Sequence, residues 1–143
     1  MQLIGLTGGI ATGKSTVSRH LKSNGIPVVD ADLISKQVTL PGQPAYKKVV
    51  ELFPECIIPD TQLIDRPRLG KLVFADGEKR KALEKAVHPA IIKEMVIQII
   101  SFWLQGHTRV IIDVPLLYES GLDKYMNYVI VLSRYKAASF IMN

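Results

Sequence analysis

QLIGLTGGIATGKST, residues 2–16, is the stretch that decides the fold. It starts as an apolar strand and runs straight into G-x-x-x-x-G-K-[ST], the pattern of a loop that cradles nucleotide phosphates. Each part of the pattern has a physical job. Glycines at positions 8, 9 and 13 open backbone conformations closed to other residues and bring successive N–H groups onto phosphate oxygens. Lys14 adds a mobile cation, and Ser15 a hydroxyl for Mg²⁺. Residues 15–21 are helix-compatible, so the phosphates would also sit at a helix N-terminus with its partial positive charge. The segment implies binding of a nucleoside triphosphate. No N-K-x-D guanine motif follows it, which favours ATP over GTP.

Working outward, the chain has 143 residues, enough for one domain with a real core but short for a P-loop kinase that carries its own substrate region. With 48% hydrophobic and 22% charged residues it has the composition of a soluble globular protein. The single cysteine, Cys56, has no internal partner and no zinc-ligating neighbours, which suggests a reducing compartment. The first strand begins almost at Met1, leaving no room for a cleaved leader, and the most apolar run, residues 95–104, is too short to cross a bilayer. The expectation is a cytoplasmic protein with no membrane span. A net charge of +5 invites a nucleic-acid partner, but the positive residues are scattered and few aromatics lie among them, so none is expected.

Helix one should run from residue 14 to 24 and stop at Asn24-Gly25, followed by a strand over residues 26–30. Short helices are expected over residues 32–38 and 44–53, then a turn-rich connector to residue 65. Helical periodicity covers residues 66–105, with breaks at Asp76-Gly77 and His88-Pro89. Further strands are read at residues 109–114 and 128–132. Strands separated by helices imply a parallel sheet covered on both faces, with sites at the carboxyl ends of the strands. The fold class is therefore α/β: a three-layer P-loop fold with a four-stranded parallel sheet, one domain over residues 1–143. The long helical stretch, about residues 41–105, reads as an inserted lobe for a second substrate.

Phosphoryl transfer asks for charge neutralisation, in-line positioning and a carboxylate that accepts the proton of an attacking hydroxyl. Asp32, just past strand two, suits that base. Asp30 is a rival for it, but capping the following helix is the more natural role of Asp30 than of Asp32. Asp113 ends an apolar strand, the place of a carboxylate that reaches Mg²⁺, or else caps the turn before Pro115. His88, beside Pro89, is structural or touches substrate. Arg66 and Arg68 open a helix in the lobe, where a fork-shaped donor suits a phosphate-bearing substrate. Leu116, Leu117 and Tyr118 form either core or an apolar wall beside the site.

TGGIATGKST, GIPVVDAD, DRPRLGKLVF, VHPAI and DVPLLYESGL follow one another in an order that resembles the dephospho-CoA kinase family, over about residues 1–132. The resemblance implies transfer of the ATP γ-phosphate to the ribose 3′-hydroxyl of dephospho-CoA, the last step of coenzyme A synthesis, with Mg²⁺ as cofactor. By position it implies that Gly8, Gly9, Ile10, Ala11, Thr12, Gly13, Lys14, Ser15 and Thr16 hold ATP and that Lys14 and Asp32 are catalytic. It also implies that Asp32, Arg66, His88, Leu116, Leu117 and Tyr118 line the dephospho-CoA site, while Ser15 and Asp113 hold the metal. ATP and dephospho-CoA are then the expected partners. Similar proteins continue past strand four with a helical lid whose arginines close on the phosphates, then a fifth strand. Residues 134–143 lack the Gln and Arg spacing of that lid. The expectation is a C-terminally truncated form of uncertain activity, with strand four left as an exposed edge open to self-association. The alternatives are another small-molecule P-loop kinase, or a nucleotide- or CoA-binding pseudo-enzyme acting through a partner.

Overall fold

The computed structural model describes residues 1–9, 11–133 and 139–142, the last four by their backbone. Ile10 and the tail positions 134–138 and 143, on which parts of the phosphate-loop and lid expectations fall, lie outside the described residues.

By its internal contacts the chain divides into two compact units: Met1–Ala31 with Ile97–Asn143, and Asp32–Val96. The second begins and ends earlier than the lobe read from the sequence. The first unit holds the sheet. Strands β1 (Gln2–Gly8), β2 (Val28–Asp30), β3 (Arg109–Asp113), β4 (Tyr128–Leu132) and β5 (Ser139–Met142) lie in the order β2-β3-β1-β4-β5. The first four are parallel, as expected, and β5 pairs antiparallel with β4 through Tyr128↔Met142 and Val131↔Ser139. This corrects the expectation that β4 would be the exposed edge. Its outer backbone groups are taken by β5, and the proposed self-association through β4 loses its basis.

Helix α1 (Lys14–Ser23) follows β1. Its stop is a Schellman motif at the expected place: Gly25, with φ of 74°, donates to the Lys22 carbonyl at 3.0 Å, and Ile26 donates to Leu21 at 3.1 Å. Val17, Leu21 and Ile26 then pack with Leu6, Val28 and Ile111 into the core on one face of the sheet. On the other face Leu117 lies over Gly5 so closely that a Cβ there would meet its Cδ2 at 2.6 Å.

The second unit contains α2 (Ala31–Val38, from its second residue), α3 (Pro44–Leu52), α4 (Arg66–Ala75) and the N-terminal part of α5 (Gly77–Leu104). Asp65 caps α4 by accepting from the Arg68 N–H at 3.1 Å, and Asp76 caps the start of α5 through Glu78 and Lys79. Val49, Phe53, Cys56, Ile64, Leu69, Ala86 and Val87 form the core. Burial, with the nearby Glu55 carboxylate, pushes the Cys56 thiol pKa up.

Helix α5 corrects a second expectation. It runs without interruption through Pro89. An interior proline forfeits a hydrogen bond and costs about 3 kcal/mol. Leu83, Ala86, Val87 and Ile91 flank it in the core, and burying each large aliphatic side chain returns about 1.5–3 kcal/mol, so packing overrides the local break. By length and composition this helix could also cross a membrane, which the expected absence of any such segment overlooked. Lys93 and Glu94 interrupt the apolar stretch, which argues against a span; Ala86, Val87 and Met95 are the buried residues of the helix, and only 11% of its most apolar window lies inside the protein.

Candidate active site

In the first unit, β1 delivers the chain into the phosphate loop. Gly13 has φ of 82° and Ala11 φ of 61°, both left-handed, so the backbone reverses in the manner that turns consecutive N–H groups inward. Thr12 braces the turn, its hydroxyl donating to the Gly9 carbonyl at 2.8 Å. Gly8 is a position of close approach: a Cβ there would stand 2.9 Å from the Leu132 carbonyl and 2.8 Å from Thr12 Oγ1. Among the described residues no side chain caps the start of α1, which leaves the N–H groups of its first turn without a side-chain partner, as an anion site at a helix start requires. Ser15 and Thr16 are exposed in that turn.

Two expected site residues meet directly. Lys14 Nζ donates to Asp113 Oδ1 at 2.5 Å, with Asp113 only 4% exposed at the carboxyl end of β3. The register places Asp30 beside Asp113 across β2 and β3, and Leu6 of β1 beside it on the other side. Asp30, weighed only as base or cap, is thus also a carboxylate one strand away from Asp113. Thr7 is a residue the sequence reading missed. Buried, it donates from Oγ1 to the Pro115 carbonyl at 2.9 Å and ties the entry of the phosphate loop to the turn after β3. A polar side chain at the end of an apolar strand was its only signal.

The donor set fits a hard cation. Ser15 and Asp113 offer oxygen ligands, and Mg²⁺ bound chiefly through phosphates and water asks one or two such groups of the protein. No trio of His, Cys, Asp or Glu clusters among the described residues, so a cage made entirely of side chains is not what this site offers.

Past β3, the three residues read as core or wall separate. Leu117 is fully buried and takes the core role, whereas Leu116 and Tyr118 are 60% and 50% exposed. Only the latter two remain available to a ligand.

In the second unit, Arg66 and His88 line one cavity of about 240 Å³. Ser35, Thr39 and Glu84 add polar groups to its lining, and Val49, Ile64, Leu69, Leu83, Val87 and Ile91 make it largely apolar. Arg66 is held by α2 and the turn after it: its Nη2 donates to Thr39 Oγ1 at 2.8 Å and to the Lys36 carbonyl at 3.3 Å. Arg68 is exposed and its backbone N–H is spent on the α4 cap. Asp32 lies in the first turn of α2, exposed, two residues after Asp30.

A strand order of 2-3-1-4 with a glycine loop after the central strand and a lysine-carboxylate pair at the strand ends is that of the P-loop α/β proteins. Within that class the chain belongs to the dephospho-CoA kinase family, whose model, described as CoaE, dephospho-CoA kinase, matches residues 2–137. A dephospho-CoA kinase of Shouchella clausii is 48% identical over 126 residues, covering 88% of this chain and 64% of the relative. One from Oryza sativa subsp. japonica is 43% identical over 132 residues, covering 92% of this chain and 57% of its own length. Among solved structures, a crystal structure from Thermus thermophilus superposes with a TM-score of 0.81 at 32% identity, covering 92% of this chain and 65% of that one. A dephospho-CoA kinase from Campylobacter jejuni gives 0.72 at 27% identity, covering 92% and 66%. The chain therefore spans between 57% and 66% of the length of these relatives.

Proposed function

We propose that this chain phosphorylates the ribose 3′-hydroxyl of dephospho-CoA with ATP, giving coenzyme A and ADP. The observation that carries the proposal is the Lys14–Asp113 pair beside the left-handed phosphate loop, in a chain of this family. Backbone N–H groups of residues 8–16 hold the β- and γ-phosphates, and Lys14 exchanges Asp113 for phosphate oxygens as the nucleotide enters. Ser15 and Asp113 would hold Mg²⁺, which would supply charge neutralisation for the transferred phosphoryl group. Asp32 accepts the proton of the 3′-hydroxyl; the freed oxygen bonds to the γ-phosphorus while the bond from that phosphorus to the β–γ bridging oxygen breaks and ADP leaves. Arg66 and His88 bind the anionic part of dephospho-CoA, with Leu116 and Tyr118 as apolar contacts. The enzyme acts in the cytoplasm on small molecules.

Phosphoryl transfer from ATP, offered dephospho-CoA, nucleosides and shikimate-like acids in parallel, tests this. Transfer to dephospho-CoA alone is expected. Preference for another acceptor makes the chain a different small-molecule kinase. Calorimetric binding of both ATP and dephospho-CoA without turnover makes it a binding protein that acts through a partner.

A further inference from the structure

We propose that Thr39 is a positioning residue, holding the Arg66 guanidinium in the cavity before an anionic substrate group arrives. This rests on the assignment of that cavity to dephospho-CoA. Thr39 is only 6% exposed, and its hydroxyl donates to the Ser35 carbonyl at 2.7 Å, with the Lys36 carbonyl a more distant acceptor at 3.3 Å. With the proton so directed, an oxygen lone pair is left to accept from Arg66 Nη2 at 2.8 Å. The Lys36 carbonyl accepts from the same nitrogen at 3.3 Å, so one corner of the fork is fixed to the end of α2, where a helix terminus is partly negative. An arginine has five N–H donors, and this arrangement spends those of a single nitrogen. Among the described residues the remaining edge has no hydrogen-bond partner, which leaves it to serve an anion in a cavity that Arg66 itself lines.

The physical gain is preorganisation. A free arginine side chain carries about 2 kcal/mol of rotamer entropy, which binding an anion would otherwise have to overcome. A hydroxyl that only back-bonds one turn up its own helix is common and would do nothing for a ligand. What separates the two roles is that the positioning role acts through Arg66.

Thr39→Val keeps the branched shape and removes the acceptor; Thr39→Ser keeps the acceptor and removes a methyl. Calorimetry should show dephospho-CoA binding weakened about tenfold by Thr39→Val and by less than about threefold by Thr39→Ser, with ATP affinity unchanged in both. In an Arg66→Ala background, Thr39→Val should cause no further loss. An unchanged Kd in Thr39→Val, or an equal loss with and without Arg66, overturns the positioning role. A wild-type chain that binds ATP but not dephospho-CoA overturns instead the assignment of the cavity. Should Thr39→Val fail to fold, relaxation of the Arg66 Nε–H in the wild-type chain without ligand still decides. An order parameter above about 0.6 is expected, and a lower one shows a side chain that nothing holds.

Discussion

The phosphate loop of the first unit and the cavity of the second are built from different material. The loop is made of backbone: glycines, two left-handed residues and a helix start left uncapped by any side chain. The cavity is made of side chains, with Arg66, His88 and Thr39 set among aliphatic groups. A backbone site is damaged by adding atoms, and a side-chain site by removing them. It follows that the first can be announced by a short motif, because local spacing fixes its geometry. The second depends on residues brought together from α2, α3, α4 and α5.

The sharpest break in this division comes at Asp32, where one carboxylate is asked to do chemistry. Asp32→Asn should lower kcat about 10²–10⁴-fold while the Kd for ATP holds, since a positioned base contributes that much; an unaltered kcat would return Asp32 to a helix-start residue. Next comes separability. Arg66→Ala should weaken dephospho-CoA binding about 10–100-fold, the size of a lost charged hydrogen bond, and leave ATP binding alone. Lys14→Ala should do the reverse in the same calorimetric pair of titrations. Smaller still is the cost of an added methyl: Gly8→Ala, forced against the Leu132 carbonyl, should destabilise by about 1–3 kcal/mol in urea unfolding. A neutral result there would show that the loop can move aside. The smallest effect belongs to Cys56. Its pKa in the folded chain lies above the ordinary 9.0, so the buried thiol favours the folded state fully below that pH, and the advantage fades as pH rises through the raised value. The stability difference between wild type and Cys56→Ala should therefore shrink as pH rises above 9.0.

Legibility in the sequence followed the same division. Gly8 to Ser15 and the Asn24-Gly25 stop were readable because each rests on spacing within a few residues; the stop stands in the structure, and Ala11 and Gly13 take left-handed conformations in the loop. Pro89 misled because its rule is local, whereas the helix around it is held by Val87 and Ile91 in the core. Leu117 could not be assigned without knowing that Gly5, far away in the chain, leaves room for it. The contact of Arg66 with Thr39 spans 27 positions and belongs to packing, not to any motif. Strand β5 was missed because residues 139–142 are short and apolar, and only β4 as a neighbour makes them a strand.

The central place of β1 bears on the order in which the protein can assemble. Leu3 pairs with Val110 and Ile4 with Tyr128, so β1 finds both neighbours only after more than a hundred further residues. Closing such long loops is slow, whereas Asp32–Val96 is contiguous and can organise while the rest is still being made. The phosphate loop that follows β1 is therefore supported on both sides only once β3 and β4 have joined that strand.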